Sequence, residues 1–272
     1  MGLFLDSTQF FFGQDGIEKA GQQARSSLER LSSGVRINDA FDDAASLAIA
    51  DSLARDTRVA AQAIRNANDG LSAVRIGDQA LGQVGQLLGR LSALATQAAS
   101  GTVNDGQRSA IQAEFGQLVA EVDRIAGSTS FNGTPLLSAG AAVQIQVGLD
   151  AATTSQLTFP AVDGTAEGLG VAGLAVSSQA AAQAALGALG SAVAALGLER
   201  ARLGAVEGHL LASLSNLQVA REQLAAAESR LRDADAAAES ATFVSSTIRG
   251  NLSVAVAAQA NLQATAVLRL LR

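Results

Sequence analysis

One stretch in the second half of this 272-residue chain constrains the fold more than any other. Between Leu186 and Leu231 the sequence alternates steps of three and four residues without a break, and ten of the fourteen positions reached are Leu or Val. These positions are Leu186, Leu189, Val193, Leu196, Arg200, Leu203, Glu207, Leu210, Leu214, Leu217, Arg221, Leu224, Glu228 and Leu231. Such spacing keeps one stripe of an α-helix against a partner helix. A helix of this extent is roughly 70 Å long, so it needs a partner of similar length.

The first half of the chain supplies that partner. We predict a helix from Ala44 to about Ser100, and its second half repeats the spacing at Leu81, Val84, Leu88, Leu91, Ala95 and Ala98. Gly77, Gly82, Gly85 and Gly89 lie inside this second half of the helix. Each costs up to ~1 kcal/mol relative to alanine, which we explain by close approach of the partner helix. The sequence therefore predicts a mainly α fold, a long antiparallel coiled-coil-like helical rod.

The region between the two long helices contains a third helix and then a change of period. Asn104 and Gln107 resemble a capping box and open a helix that we expect to end at Gly127. Apolar and polar residues then alternate at 143–147 and again at 157–159, which predicts a small β-hairpin. A glycine-rich stretch, Asp163 to Gly173, leads back to the second long helix.

A terminal helix is predicted at each end of the chain. The first runs from Glu18 to Ser33 and ends at Gly34, and the last runs from about Ala236 to Arg272. The last helix is rich in small residues and has little polar face, so two terminal helices alone cannot bury it. Identical copies of the chain can supply the missing neighbours, and a repeated non-closing contact between identical chains produces a helical filament.

Short non-helical connectors, residues 35–41 and 232–235, join the terminal helices to the rod. In the first connector we expect Asp39 to cap the long helix, with Asp42 and Asp43 in its first turn, where the helix dipole favours acidic side chains. This placement explains the two adjacent carboxylates without a catalytic role.

Composition and motifs give little support to other kinds of function. The net charge of −6 and the pI near 4.8 argue against nucleic acid or an anionic membrane as the main partner. The chain has no Cys and one His, so it has no thiol chemistry or Cys-based zinc site. Two charge-free stretches, 168–198 and 250–268, contain Gln or Asn, which are costly in lipid, so we expect them to lie against protein. The N-terminus lacks the features of a secretory signal peptide.

Two motifs resemble ligand sites but lack the necessary context. Residues 168–173 match GxGxxG, yet Pro160 interrupts the preceding strand and the first acid downstream is Glu199, so we interpret the stretch as a flexible loop. Asp233 and Asp235 lack the Gly and the terminal Glu of a calcium loop. We therefore expect no cofactor, no metal and no enzymatic activity.

The sequence at the connectors and along the rod resembles bacterial flagellin. The matching motifs, in the order expected for that family, are Leu28–Asn38 (LERLSSGVRIN), Asp42–Ala45 (DDAA), Leu47–Asp51 (LAIAD), Ala63–Gly70 (AIRNANDG), Thr129–Thr134 (TSFNGT), Leu203–Val206 (LGAV), Ser229–Asp235 (SRLRDAD), Ala258–Asn261 (AQAN) and Val267–Arg272 (VLRLLR). The resemblance covers residues 26–137 and 186–272. The first 20 residues depart from the family pattern, because they contain Phe10, Phe11 and Phe12 where an Asn-, Ser- and Leu-rich helix is usual.

The resemblance implies a structural subunit of the bacterial flagellar filament, without the large variable outer domains of longer flagellins. It implies an N-terminal inner-tube helix and connector (1–38), N-terminal rod helices (39–137), a hairpin and Gly-rich loop (138–180), a C-terminal rod helix (181–232), and a connector with the C-terminal inner-tube helix (233–272). The implied location is extracellular, in the flagellum, after export through the flagellar type III channel without a cleaved signal peptide.

The resemblance also implies partners and sites. We expect the chain to bind itself in a helical homopolymer, the flagellar cap and hook–filament junction proteins, and an export chaperone. We assign self-assembly to Leu28, Leu31, Arg36, Asn38, Phe131, Leu252, Val256, Leu262 and Leu270. Arg90, Leu94, Gln97 and Glu114 resemble a surface that a host Toll-like receptor reads on many flagellins, although rod packing explains Leu94 equally well.

Two other functions remain open from the sequence. A hook–filament junction protein is the near alternative within the same class. A secreted, membrane-active helical protein that inserts its charge-free helices into lipid is the alternative from a different class.

Overall fold

The computed structural model describes the backbone of residues 2–138, 142–150, 152–160 and 162–270, and the side chains of the same ranges from residue 14 to 259 and of Leu262. The helices are α1 (Gly2–Ser33), α2 (Ala40–Ala99), α3 (Asp105–Ser128), α4 (Gln179–Arg232) and α5 (Ala236–Leu270). The strands are β1 (Ser130–Phe131), β2 (Thr134–Pro135), β3 (Val143–Gln146) and β4 (Gln156–Phe159), and a 3-10 turn spans Thr153–Ser155. The predicted mainly α class with a small β-hairpin is confirmed.

The chain forms two compact units. The terminal unit comprises residues 1–55 and 223–272, and the central unit comprises residues 56–222. Each has its own packing and is described separately.

In the central unit, α2 and α4 run antiparallel. Arg75 pairs with Glu207 and Asp78 pairs with Arg200, so the residue numbers along one helix rise as those along the other fall. All six predicted heptad residues of α2 are buried with 0% exposure. The largest fully buried side chains of this core include Leu81, Leu88, Leu91, Phe115, Val122, Leu189, Leu203 and Leu210. The prediction that the two long helices are partners is confirmed.

The predicted stripe of α4 is partly wrong. Leu189, Leu196 and Leu203 are buried, but Val193 is 47% exposed and its neighbour Ala192 is 1% exposed. The helix also presents alanines to the core, at positions 182 and 185 before Leu189 and at position 192 between Leu189 and Leu196. Because alanine allows a neighbouring helix to approach closely, the buried stripe turns by one residue away from the bulkier Val193.

Close approach of the partner helix was predicted to explain four glycines of α2, and it does so at two of them. A Cβ on Gly77 would lie 3.5 Å from Leu203 Cδ1, and one on Gly85 would lie 3.1 Å from Leu196 Cδ2. At Gly82 and Gly89 an added Cβ would meet nothing within 4 Å. Close helix approach therefore accounts for Gly77 and Gly85, and the prediction is wrong for the other two.

Helix α3 begins as the sequence predicts. The Asn104 side chain accepts a hydrogen bond from the Gln107 amide at 2.9 Å, and the Asn104 amide donates to Gln107 Oε1 at 3.0 Å, which completes the capping box. Arg108 is buried in the first turn, and its guanidinium donates to the carbonyl oxygens of Ala98 and Ser100. These bonds satisfy acceptors that the end of α2 leaves without helical partners.

The predicted hairpin is present, and a second one precedes it. In the antiparallel pair β3–β4, Val143 lies opposite Phe159 and Ile145 opposite Leu157. The short hairpin β1–β2 was not predicted; its strands have two residues each, and its turn is Asn132 (φ 49°) and Gly133 (φ 77°). An Asn-Gly dipeptide is the usual signal for such a turn.

The Gly-rich stretch is a packed segment, so the interpretation as a flexible loop is wrong. Ala166 and Val171 are fully buried, and Leu169 is 6% exposed. The Asp163 carboxylate accepts from the Thr165 amide at 3.0 Å and caps the turn. A Cβ on Gly168 would lie 2.2 Å from the Asp163 carboxyl carbon, which explains why this position is glycine.

In the terminal unit, α1 starts well before the predicted Glu18 and ends at Ser33, as predicted. Gly34 follows with φ 73°, the left-handed conformation that suits glycine after a helix, and its amide donates to the Arg30 carbonyl. Asp43 interrupts the start of α2 with extended backbone angles (φ −165°, ψ 94°). Asp43, rather than Asp39, therefore caps the continuous part of α2.

Candidate self-assembly site

Helices α1 and α5 pack antiparallel through small residues. A Cβ on Gly16 would lie 2.9 Å from Ser253 Oγ, and one on Gly250 would lie 3.7 Å from Ala20 Cβ. Ser246 is 3% exposed in the same region and donates its hydroxyl to the Thr242 carbonyl. The contact is close but buries little apolar side-chain area.

Several of the described apolar side chains of α5 remain in solvent in the single chain. Six of them are between 53% and 64% exposed: Val244, Ile248, Leu252, Val254, Val256 and Leu262. Leu28 on α1 is 55% exposed. A group of exposed aliphatic side chains along one helix, with Leu28 exposed on α1 of the same unit, marks an interaction surface. We call these seven residues the terminal apolar surface.

The two connectors are hydrogen-bonded to each other. Val35 and Asp233 form an antiparallel bridge, the Arg36 amide donates to the Arg232 carbonyl at 2.6 Å, and the Ala234 amide donates to the Gly34 carbonyl at 3.0 Å. These bonds hold the end of α1 beside the start of α5.

Arg30 links three segments of the terminal unit. Its guanidinium lies 3.3 Å from Glu239 Oε1 on α5 and 3.7 Å from Asp42 Oδ1. The Asp42 carboxylate also accepts from the backbone amides of Asn38 at 3.1 Å and Asp39 at 3.4 Å. These amides, with a smaller contribution from the Arg30 charge, lower the pKa of Asp42 below its ordinary value.

Two further carboxylates of this region cap helices. Asp43 accepts from the Ser46 hydroxyl at 2.6 Å and from the Ser46 amide at 3.0 Å, and these bonds lower the pKa of Asp43. Asp235 Oδ1 accepts from the amides of Ala237 at 2.9 Å and Ala238 at 3.1 Å, at the start of α5. In the part of the chain that the structure describes, no three His, Cys, Asp or Glu side chains are grouped to hold a metal ion.

The predicted assembly residues fall into different environments. Arg36 is exposed and donates to the Leu231 carbonyl at 2.7 Å, and Asn38 donates to Ser33 Oγ at 2.9 Å, so both hold the connectors. Leu31 is half-buried, whereas Leu252, Val256 and Leu262 belong to the terminal apolar surface. Phe131 belongs to the central unit, where it is half-buried and lines a cavity of about 410 Å³. The side chain of Leu270 lies outside the described residues.

The predicted receptor residues lie on α2 and α3. Arg90 forms an ion pair with Glu114, with Nη2 at 2.7 Å and Nε at 3.1 Å from Oε1. Gln97 is exposed, whereas Leu94 is only 3% exposed and belongs to the central core. Leu94 therefore packs within the subunit, and the other three side chains reach solvent.

Sequence reasoning missed the ion pairs of Arg30 and the burial of Ile37, which is 1% exposed within the first connector. Arg30 and Glu239 are 209 positions apart, so only the pairing of α1 with α5 brings them together. The connector is too short for a hydrophobic periodicity to show that Ile37 is buried.

By length and composition alone, α4 is also apolar enough to cross a membrane. Core helices pass the same test, and Leu189, Leu196 and Leu203 of α4 are buried in the central unit. The apolar composition of α4 therefore does not favour a membrane-inserting protein over a helical structural protein.

Two protein-family matches cover nearly the same two regions of the chain as the sequence motifs. Residues 13–142 match the bacterial flagellin N-terminal helical region, and residues 186–271 match the bacterial flagellin C-terminal helical region. The chain is 39% identical over 251 residues to a flagellin of Halalkalibacterium halodurans and 35% identical over 265 residues to the flagellar filament 30.7 kDa core protein of Treponema maltophilum. In both comparisons the match covers 92% of each chain.

Longer relatives and a solved structure extend the comparison. A flagellin of Escherichia coli K12 is 39% identical over 165 residues, which is 61% of this chain but 33% of the relative. The crystal structure of Bacillus cereus flagellin superposes with a TM-score of 0.51 at 33% identity, covering 56% of this chain and 88% of that one.

The fold and the terminal apolar surface define an α-helical structural protein. The chain belongs to the bacterial flagellin family, and it is a structural subunit of the flagellar filament, an extracellular assembly. Only residues 143–185 separate the two matched regions, as predicted for a flagellin without large outer domains.

Proposed function

We propose that copies of this chain polymerise through their terminal helices, with the terminal apolar surface as the principal contact. The observation that carries this proposal is the exposure of six aliphatic side chains along α5. In this proposal residues 1–38 and 233–272 form the inner tube of the filament. Residues 39–137 and 181–232 form the surrounding shell, and residues 138–180 lie on it.

The energetics support this assignment. Complete burial of a Val, Leu or Ile side chain is worth about 1.5–3 kcal/mol, so covering a side chain that is already half-buried contributes roughly 1 kcal/mol. Six such side chains contribute enough to offset part of the entropy lost on association. The small-residue contact between α1 and α5 supplies little of this stabilisation within one chain.

Folding and assembly are coupled in this proposal. Helix α5, whose apolar side chains are largely exposed, depends on neighbouring chains for its stability, because most helical stability in proteins comes from packing of an apolar face. We expect the terminal segments of the free monomer to be largely unfolded and to become helical when neighbouring copies cover Leu252, Val256 and Leu262. Limited proteolysis of the monomer should cleave within residues 236–272, and assembly should protect those sites.

Seeded polymerisation of the purified chain tests the proposal. The double variant Leu252→Ser and Val256→Ser should raise the critical concentration for assembly by at least tenfold, since it removes two apolar contacts. Leu198→Ser is the matched control, because Leu198 is 65% exposed on α4, outside the terminal helices. Equal effects of the α5 variant and the α4 control would contradict the assignment of assembly to α5.

Membership of the flagellin family supports a proposal about the export route and the protein partners of the chain. We propose export through the flagellar type III channel with the help of an export chaperone, and contacts with the flagellar cap and the hook–filament junction proteins. Secretion should stop in cells that lack the flagellar export gate and continue in cells that lack the general secretory pathway. The reverse pattern would contradict this route.

We also propose that Arg90, Gln97 and Glu114 form the surface that a host Toll-like receptor reads, with Leu94 as internal support. Arg90→Ala should lower receptor activation by the monomer in a reporter-cell assay. Arg124→Ala is the matched control, because Arg124 forms a similar exposed ion pair with Glu121. Equal activity of the Arg90 variant and the control would contradict the proposal.

A further inference from the structure

Phe41 is the most exposed large apolar side chain of the described chain. It is 99% exposed at the first turn of α2, so its ring contacts almost nothing in its own subunit. An aromatic ring exposes a large apolar area to water, so covering it with a partner is favourable. Acidic residues flank the ring at Asp39, Asp42 and Asp43. The ring therefore lies beside three carboxylates, of which Asp42 is paired with Arg30 and Asp39 and Asp43 have no ion-pair partner among the described residues.

A complementary surface lies on α5 of the same unit. Ser240, Ala241, Val244, Ser245, Ile248 and Arg249 line an open groove of about 660 Å³. Val244 and Ile248 are each 54% exposed and provide its apolar wall. Arg249 has no ion-pair partner among the described residues, and its guanidinium is the charged group of the groove.

We propose that the Phe41 ring of one subunit inserts into the groove formed by Val244, Ile248 and Arg249 of a second copy of this chain. The ring packs on the two aliphatic side chains, and the Arg249 guanidinium lies against its face in a cation–π contact. The carboxylate of Asp39, two residues before Phe41, is opposite in charge to Arg249. The contact extends the terminal apolar surface, so this inference rests on the proposed function.

The contact is heterologous, which suits a filament. The inserting ring and the receiving groove are different parts of one molecule, and each subunit therefore has one of each still free after it binds a neighbour. A repeated contact of this kind continues from copy to copy and does not close into a dimer.

The cavity in the central unit fits this ring less well. It is lined by Phe131, Ile145 and Phe159, and its charged lining residue is Asp69, with no Arg or Lys among the lining residues. Because Phe41 is flanked by acids, the two negative segments repel each other there. Charge complementarity favours the α5 groove.

Polymerisation and unfolding assays test the contact with the full-length chain. Phe41→Ala should raise the critical concentration for seeded assembly about tenfold or more, whereas Phe41→Leu should have a smaller effect. The melting temperature of the monomer should not change, because the ring contacts nothing within it. In a double-mutant cycle, Phe41→Ala and Arg249→Ala together should cost less than the sum of the two single effects.

Cross-linking identifies the partner surface directly. The chain has no Cys, so Ala40→Cys and Ser245→Cys on separate chains introduce the only thiols. Co-assembled filaments treated with a short bismaleimide should give a 40–245 linked dimer, which Phe41→Ala should reduce strongly. Linkage of position 40 to Asn132→Cys, beside the central cavity, in place of position 245 would overturn the proposal.

The outcomes separate this contact from the wider proposal. Loss of assembly on deletion of residues 236–272, together with unchanged assembly of Phe41→Ala, would contradict the Phe41 contact alone. Assembly that survives the deletion would contradict both, because the deletion removes the groove.

Discussion

Arg200 and Asp78 form a two-point ion pair that joins α4 to α2, with Nε 2.8 Å from Oδ1 and Nη2 3.0 Å from Oδ2. The carboxylate raises the pKa of the Arg200 guanidinium, first through its hydrogen bonds and then through its charge. The pair lies beside the close approach of Gly77 to Leu203, where the two helices pack together.

We expect Arg200→Lys to lower the free energy of unfolding by only about 0.5 kcal/mol, because both side chains are more than one-third exposed and solvent screens the pair. Chemical denaturation at low and high salt measures the effect, which should shrink as salt rises. A loss above about 2 kcal/mol that is insensitive to salt would show that the pair is far less screened than its exposure indicates.

The packing of α4 predicts a sharp contrast between two of its leucines. Leu203 is fully buried, so Leu203→Ala should lower the free energy of unfolding by about 2–5 kcal/mol. Leu198 is 65% exposed, and Leu198→Ala should change it by less than about 0.5 kcal/mol. Denaturant titration of both variants checks the contrast, and similar losses would contradict the position of the buried stripe.

The glycines of α2 predict effects of different size or sign. Gly82→Ala should stabilise the monomer by about 0.5–1 kcal/mol, because the added methyl group meets no atom within 4 Å and alanine is the better helix former. Gly85→Ala should gain less or destabilise, because its Cβ would lie 3.1 Å from Leu196 Cδ2. Thermal unfolding of the two variants compares them directly. An equal gain from both would mean that α4 does not approach Gly85 closely.

The first connector should respond to acid. The pKa of Asp42 is lowered in the folded chain, so its carboxylate stabilises the connector above the unfolded-state pKa of about 3.9, and that contribution is lost as the pH falls through the folded-state pKa. NMR titration of the assembled chain should place the Asp42 midpoint below the ordinary value and show the Asn38 and Asp39 amides shifting with it. Asp42→Asn should remove this titration, and Asp39→Asn should leave it. A normal Asp42 midpoint would contradict the hydrogen-bonded geometry.

The long helices, the capping box and the larger hairpin could be predicted because each depends on local spacing. The six buried positions of α2 follow directly from steps of three and four residues. The stripe on α4 could not be placed as well, since Val193 and Ala192 are both apolar and only the distance between the helices decides which one faces the core.

The candidate site could be predicted in part. The apolar character of α5 is visible in the sequence, and its exposed side chains agree with the expectation that one partner helix cannot cover them. The ion pairs of Arg30 could not be predicted, because they depend on contacts between segments distant in sequence. The exposure of Phe41 is also invisible to periodicity, since the residue lies where a connector becomes a helix.

The proposed function requires that α5 drive filament assembly, and electron microscopy of a deletion variant tests this requirement most directly. The full-length chain should form long tubes after seeding, whereas the chain without residues 236–272 should remain monomeric while retaining the cooperative unfolding of its central unit. Tubes formed by the deletion variant would contradict the account, because assembly would then depend on surfaces outside the C-terminal helix.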